Sequence, residues 1–101
     1  MATDRKKLYE GMFLVGAGEA ASNWDETEGT IRNILQRADA EIVSVRKWDE
    51  RRLAYEVDGV DRGTYVLSYF KTEGPRVADI ERDVRLNEQI LRALILATEP
   101  M

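Results

Sequence analysis

The residues best suited to chemistry in this chain lie around Trp48. Four cations fall within seven positions there, namely Arg46, Lys47, Arg51 and Arg52. The neighbouring Asp49 and Glu50 reduce the local excess to two positive charges. Arginine forks match phosphate oxygens and tryptophan stacks on bases, so the cluster suits nucleic acid. Solvated charge and protection of a sheet edge explain it equally well, and the spacing leaves both interpretations open.

The residue types do not support catalysis or metal binding. The 101 residues include no Cys and no His, which removes thiolate nucleophiles, Ser-His-Asp triads and the usual zinc ligands. The acidic pairs Asp49-Glu50 and Asp58/Asp61 lie in predicted turns with no visible activating environment, and Gly16-Ala17-Gly18 lacks the continuation of a phosphate-binding loop. We therefore expect no enzyme activity, no cofactor, no metal and no small-molecule substrate.

Charge is unevenly distributed in this acidic protein. The net charge is −4 and the isoelectric point about 4.9, which argues against a nucleic-acid binder that acts alone. Two further basic groups occur, Arg5-Lys6-Lys7 near the start and the pair Arg85 and Arg92 near the end. We expect these groups and the cluster around Trp48 to converge on one edge of the fold.

The elements that must position these residues alternate between strands and helices. Strands are predicted over 8–15, 41–57 with a bulge or bend at Asp49-Glu50, 64–72 and 89–97, although the last segment has mixed propensity. Residues 16–23 read as a loop and 58–63 as a hairpin turn. Helices are predicted from a cap at Ser22 and from Gly74-Pro75 to Asn87. This β-α-β-β-α-β order predicts an α+β, ferredoxin-like sandwich with a four-stranded antiparallel sheet and two helices on one face.

The length fits a single domain over 1–101 with its core at about 7–97. No apolar run approaches the roughly 20 residues of a membrane span, and the first apolar segment reads as a strand rather than a signal peptide. We therefore expect a cytoplasmic protein with no membrane partner.

Side-chain alternation predicts an apolar open face on the sheet. Glu10 is a poor core residue, so its set should face outward and leave Met12 and Leu14 exposed. The orientation of the third strand stays open. An apolar sheet surface rimmed by charge indicates a partner, unless the C-terminal tail or the long hairpin folds over it.

Four segments together resemble bacterial small-subunit ribosomal protein S6, in order and over about residues 7–97. They are Tyr9-Glu10-Gly11-Met12-Phe13, Val45-Arg46-Lys47-Trp48 followed by Arg51-Arg52-Leu53-Ala54-Tyr55, Gly63-Thr64-Tyr65-Val66-Leu67, and Ile80-Glu81-Arg82-Asp83-Val84-Arg85-Leu86-Asn87-Glu88. The chain departs from the family pattern at Glu56, where a proline is frequent, and at Asp39-Ala40, where a glycine is usual. The loop at 16–23 is longer, and the charged C-terminal extension of some members is absent.

The resemblance implies a non-enzymatic protein of the small ribosomal subunit. It implies binding to the central domain of small-subunit ribosomal RNA together with the small basic ribosomal protein S18. Positions that match the family then become candidate contacts. For RNA they are Lys7, Tyr9, Arg85 and Arg92; for the protein partner they are Arg46, Trp48, Arg51, Arg52, Leu53, Ala54 and Tyr55. The residues alone also allow a ferredoxin-like module that pairs with itself through its open sheet, or a small enzyme on this fold.

Overall fold

Four strands and three helices make up the described chain. The computed structural model describes residues 6–57 and 59–98. In chain order the elements are β1 (Lys6–Gly16), α1 (Ala17–Ser22), α2 (Trp24–Arg37), β2 (Glu41–Val57), β3 (Val60–Glu73), α3 (Arg76–Leu86) and β4 (Ile90–Ala97). The sheet has the order β2-β3-β1-β4, and every neighbouring pair is antiparallel. The predicted α+β, ferredoxin-like sandwich is confirmed, including the strand over the ambiguous last segment.

The core lies between the sheet and the two longer helices. Alternation in β1 directs Phe13 and Val15 to this side, where both are fully buried. Val66 and Phe70 of β3 join them, which settles the orientation of the third strand. The buried helix residues opposite are Ile31, Ile34, Leu35, Ile80 and Val84. This periodic burial is what a helix stripe on a sheet requires.

Two small residues let β1 and β3 come together inside the core. A Cβ on Gly11 would lie 2.9 Å from Ser68 Oγ and 3.0 Å from a ring carbon of Phe70. The Ser68 hydroxyl donates a hydrogen bond to the Gly11 carbonyl at 3.0 Å, so this buried polar group is satisfied. Glycine at position 11 is therefore a packing requirement.

The segment 16–23, expected to be a loop, contains the short helix α1. Its sequence Ala-Gly-Glu-Ala-Ala-Ser has three residues of the strongest helix former, and Ala20 is buried. The predicted cap at Ser22 is wrong, because the Ser22 hydroxyl donates back to the Gly18 carbonyl at 2.7 Å. Asn23 is the N-cap of α2 instead, and its carbonyl accepts from the Thr27 amide.

The β2–β3 hairpin is longer and tighter than predicted. β3 begins at Val60, so Asp61, Arg62 and Gly63 lie in a strand and not in the turn; Asp58 lies outside the described residues. Gly59 has φ +79°, a conformation that favours glycine. The predicted bulge is confirmed by a register shift between Lys47 and Asp49, and β2 continues through it. No helix among the described residues is long and apolar enough to cross a membrane.

Candidate binding surface

The end of the β2–β3 hairpin extends beyond the rest of the sheet. Arg51 pairs with Gly63, and Gly63 pairs with Gly16, the last residue of β1. Residues 52–57 and 59–62 therefore lie beyond the last row of the sheet that includes β1, and we refer to them as the arm. The ladder within the arm is irregular, with a register shift between Arg52 and Val57. Irregular pairing of this kind bends a hairpin.

The arm bends over the open face of the sheet and covers Leu14. A Cβ on Gly63 would lie 2.5 Å from Leu14 Cδ1 and 3.4 Å from Leu53 Cδ2, so both side chains pack against this glycine. Leu14 is consequently only 6 % exposed, and the prediction that it is exposed is wrong. Met12 is half-buried. The sequence predicted that either a partner or a folded-over segment of the chain would cover this face. At Leu14 the covering segment is the β2–β3 hairpin.

An apolar groove of about 360 Å³ remains between the arm and the sheet. Its walls include Met12 and Leu14 from β1, Leu53 and Tyr55 from the arm, and Leu94 from β4. Tyr55 is 64 % exposed at the mouth. The groove therefore presents both aliphatic and aromatic surface to a binding partner, a combination typical of protein interfaces.

Tyr55 and Arg92, on the two edge strands of the sheet, contact each other along the wall of the groove. Arg92 Nη1 donates to the Tyr55 hydroxyl at 3.5 Å, and the guanidinium carbon lies 5.8 Å from the ring centroid. Since β2 and β4 are the two outer strands, this contact crosses the whole open face. Arg92, predicted as an RNA contact, thus also borders the predicted protein contacts.

The arginines of β2 differ in their electrostatic partners. Arg51 Nε donates to Asp49 Oδ2 at 2.7 Å, and this hydrogen bond holds the pKa of the Asp49 carboxyl below its ordinary value of 3.8. Arg62 of the arm pairs with Glu50 of the neighbouring strand β2 at 3.1 Å. Within residues 6–57 and 59–98, Arg46 and Arg52 are exposed and form no ion pair. Their charge is available to another molecule.

The other predicted protein contacts also lie on β2 and are accessible. Trp48 is exposed, and its ring meets Tyr65 edge-on with centroids 6.4 Å apart. Leu53 is half-buried against Gly63, and Ala54 is exposed beside it. Trp48, Leu53, Ala54 and Tyr55 therefore lie on one strand, with Arg51 and Arg52 between Trp48 and Leu53 and with Arg46 just before Trp48.

The four predicted RNA contacts separate into two locations. Arg85 and Arg92 line one groove of about 990 Å³ between α3 and β4. Lys7 pairs with Thr72, whereas Arg92 pairs with Leu14, seven residues further along β1. At about 3.3 Å per residue these positions are about 23 Å apart. The expected convergence of Lys7 with Arg51, Arg52 and Arg85 is wrong. Lys7 lies at the start of β1, whereas the three arginines lie near the opposite end of that strand.

Tyr9 has a structural contact of its own. Its ring stacks on Phe70 with centroids 6.0 Å apart, and its hydroxyl lies close to Gly74. The side chain is half-buried, while Lys7 beside it is exposed. The N-terminal candidates are thus one exposed cation and one partly covered ring.

Four wall residues of the apolar groove were predicted neither as contacts nor as exposed apolar residues, namely Val57, Tyr65, Ala93 and Leu94. Alternation in the last strand, which places Arg92, Leu94 and Leu96 on one side, was the available signal for Leu94. The positions of Val57 and Tyr65 in the groove wall depend on how the arm bends, which no local pattern reveals.

Among the described residues no group of His, Cys, Asp and Glu side chains is arranged to hold a metal.

Comparison with known proteins gives a consistent match. The family model of ribosomal protein S6 matches residues 8–97. Small ribosomal subunit protein bS6 of Desulforamulus reducens is 30 % identical over 88 residues, which cover 87 % of this chain and 93 % of that protein. The bS6 protein of Synechocystis is 48 % identical over 61 residues, 60 % of this chain and 54 % of that protein.

Solved structures share the fold. The crystal structure of 30S ribosomal protein S6 from Thermotoga maritima superposes with a TM-score of 0.78 at 22 % identity, covering 92 % of this chain and 88 % of that chain. The C-terminal domain of the MgtC protein from Mycobacterium tuberculosis reaches 0.60 at 11 % identity, covering 98 % and 95 %. Because different proteins share this fold, the structural likeness indicates architecture alone.

Proposed function

This chain belongs to the ribosomal protein S6 family, and on that premise we propose that it binds the central domain of small-subunit ribosomal RNA together with ribosomal protein S18. Membership makes it a structural, non-enzymatic component of the small ribosomal subunit, and therefore a cytoplasmic protein. The proposal concerns its contacts there and its part in subunit assembly and translation.

The observation that carries the proposal is the apolar groove beneath the arm, with Arg92 in its wall and the exposed Arg46 and Arg52 on the strand that supplies Leu53 and Tyr55. Aliphatic and aromatic walls suit a protein partner, and exposed arginines are frequent at the rim of such interfaces. We assign S18 to this surface, with β2 from Arg46 to Tyr55 as the main contact. Part of the energy would come from covering Tyr55 and Trp48, which are both more than half exposed.

Charge explains why two proteins would be needed on RNA. The net charge of −4 opposes binding of the isolated chain to phosphates, while a basic partner is attracted to it and brings positive charge to the complex. Arg85 and Arg92 line one groove, and Arg85 forms no ion pair among the described residues. We propose these two as one RNA contact, and Lys7 with Tyr9 as a second, separate contact.

The test is a gel-shift titration on central-domain RNA at fixed salt. We expect no shift with this protein alone, a weak shift with S18 alone, and a strong shift with both. Failure of the pair to shift the RNA, where a homologous pair does so, would refute the proposed function.

Charge-reversed variants locate the contacts. Arg85→Glu should weaken RNA binding of the pair, whereas Arg82→Glu, the same change at an exposed position of α3 that lines neither groove, should leave it unchanged. The double variant Arg51→Glu with Arg52→Glu should impair S18 binding and assembly while the domain stays folded. Normal incorporation of that double variant into subunits would contradict the partner surface, and equal effects of the two α3 variants would contradict the RNA contact.

A further inference from the structure

Two glycines lie side by side in the last row of the sheet before the arm. Gly16 of β1 pairs with Gly63 of β3, and Arg51 of β2 completes the row. Alternation along β1 places Gly16 on the same face as Leu14, which is the face over which the arm bends. Two neighbouring positions therefore have no side chain at the point where the arm leaves the sheet.

Side chains of the arm lie over both glycines. A Cβ on Gly16 would lie 3.8 Å from Val60 Cγ1, which is an ordinary van der Waals distance. A Cβ on Gly63 would lie 3.4 Å from Leu53 Cδ2 and only 2.5 Å from Leu14 Cδ1, too close for two non-bonded carbon atoms. Gly16 thus has room for a methyl group, and Gly63 has none.

Space, and not backbone conformation, requires glycine at position 63. Among the described glycines only Gly59 has a positive φ, so the backbone at Gly63 is one that alanine can adopt. The φ of −63° at Gly16 is equally ordinary. A methyl group added at either position therefore tests packing alone.

A methyl group at Gly63 would change the shape of the apolar groove. Leu53 covers Leu14 from the arm, and Tyr65 and Arg92 are its partners on the neighbouring strands β3 and β4. The remaining space beside Leu14 is the groove itself. Leu14 would therefore move into the groove and fill it, or the arm would lift and widen it. Either change lowers the complementarity that a packed protein interface needs.

We propose that Gly63 is a positioning residue for recognition of the protein partner. By leaving space for Leu14, it seats the arm on the sheet and sets the width of the groove that S18 enters. Gly63 lines neither of the two larger grooves, so it acts through Leu14 and the arm and not by contact with the partner. This inference rests on the proposed function, in which S18 occupies the groove beneath the arm.

The test moves a methyl group between two neighbouring residues of the full-length chain and measures the affinity for S18 by calorimetry without RNA. Gly63→Ala adds one carbon at the crowded position, and Leu14→Val removes one carbon from the side chain that it meets. The double variant conserves the total volume, which packed sites tolerate best. Gly16→Ala is the matched control, because it adds the same methyl group in the same row where space is available.

We expect Gly63→Ala to raise the Kd for S18 by about tenfold or more, and Gly16→Ala and Leu14→Val to raise it by less than about threefold. The double variant should return to within about threefold of the wild-type Kd, since the two changes compensate each other. Leu14→Val should lower the free energy of unfolding in urea and yet keep its affinity, which separates positioning of the groove from stability.

Circular dichroism confirms that each variant is folded. Equal losses of affinity in Gly63→Ala and Gly16→Ala would overturn the inference, and so would affinities that follow the free energy of unfolding across the set. The double variant is also compared with Leu14→Val, which keeps the test decisive if Gly63→Ala alone does not fold. A loss of about tenfold in that comparison would overturn the inference as well. A wild-type protein that does not bind S18 would instead refute the proposed function, on which this inference depends.

Discussion

Leu14→Ala tests whether the arm lies against the open face in solution. Leu14 is 6 % exposed because Gly63 and Leu53 of the hairpin cover it. Without that cover it would lie on an open sheet surface, as the sequence predicts. The free energy of unfolding that Leu14→Ala removes is therefore large if the arm is docked and small if it is not.

The structure sets the expected magnitude. A buried leucine truncated to alanine costs about 2.7–5.0 kcal/mol, with the larger values at sites that cannot collapse. The arm can move inward, so we expect about 2.7 kcal/mol, which corresponds to a roughly hundredfold change in the unfolding equilibrium. The melting temperature should fall by about 10–20 °C for a domain of this size.

The control lies on the same face. Leu94→Ala removes the same atoms from a side chain that is 59 % exposed, so its effect should stay within about 0.5 kcal/mol. Both variants are measured by urea unfolding, followed by tryptophan fluorescence and by far-ultraviolet circular dichroism to verify two-state behaviour. Equal, small losses for the two variants would refute the docked arm.

Three further predictions concern the core, the glycines and one ion pair. Ile34→Ala should destabilise the protein by about 2–5 kcal/mol in the same assay, because Ile34 is buried on the stripe of α2; a loss below about 0.5 kcal/mol would contradict that packing. Gly11→Ala should cost about 1–3 kcal/mol through overpacking, whereas Gly18→Ala, with open space around it, should stabilise α1 by up to about 1 kcal/mol. The carboxyl of Asp49 should titrate below 3.8 by nuclear magnetic resonance and return towards that value in Arg51→Gln. A depressed acid pKa favours the folded state above the unfolded pKa, so the contribution of this pair is lost as pH falls through the folded pKa, and an unshifted midpoint would refute the assignment.

Local patterns were sufficient for the four strands, the two longer helices and the side of the sheet that each residue of β1 faces, but not for α1 or for the orientation of β3. The period-two alternation of β1 correctly places Phe13 and Val15 in the core, and the bulge at Asp49 follows from two acids in a β-branched strand. Alternation states which side a residue faces, but not what covers that side. The burial of Leu14 depends on contact with Gly63, 49 positions away, and on the bend of an irregular ladder.

The candidate contacts show the same limit. Position along the chain suggested that Lys7 and Arg85 would meet, since both flank strands that proved to be neighbours. Antiparallel pairing reverses the direction of β4, so its start lies at the end of β1 far from Lys7. Helix α1 was not predicted because its glycine and polar residues are typical of a loop. The burial of Ala20 against the rest of the fold stabilises this short helix.

The central position of β1 also determines the order in which the chain can fold as it is synthesised. The β2–β3 hairpin joins residues close in sequence, so it can form first. The bond from Ser68 to Gly11 spans 57 positions, and that from Thr98 to Leu8 spans 90. β1, the first strand to be synthesised, can therefore complete its pairing only after β4, the last one, has been synthesised. Until β4 emerges, β1 has one free edge, and the N-terminal segment Tyr9 to Val15 is the part of the nascent chain most exposed to mispairing.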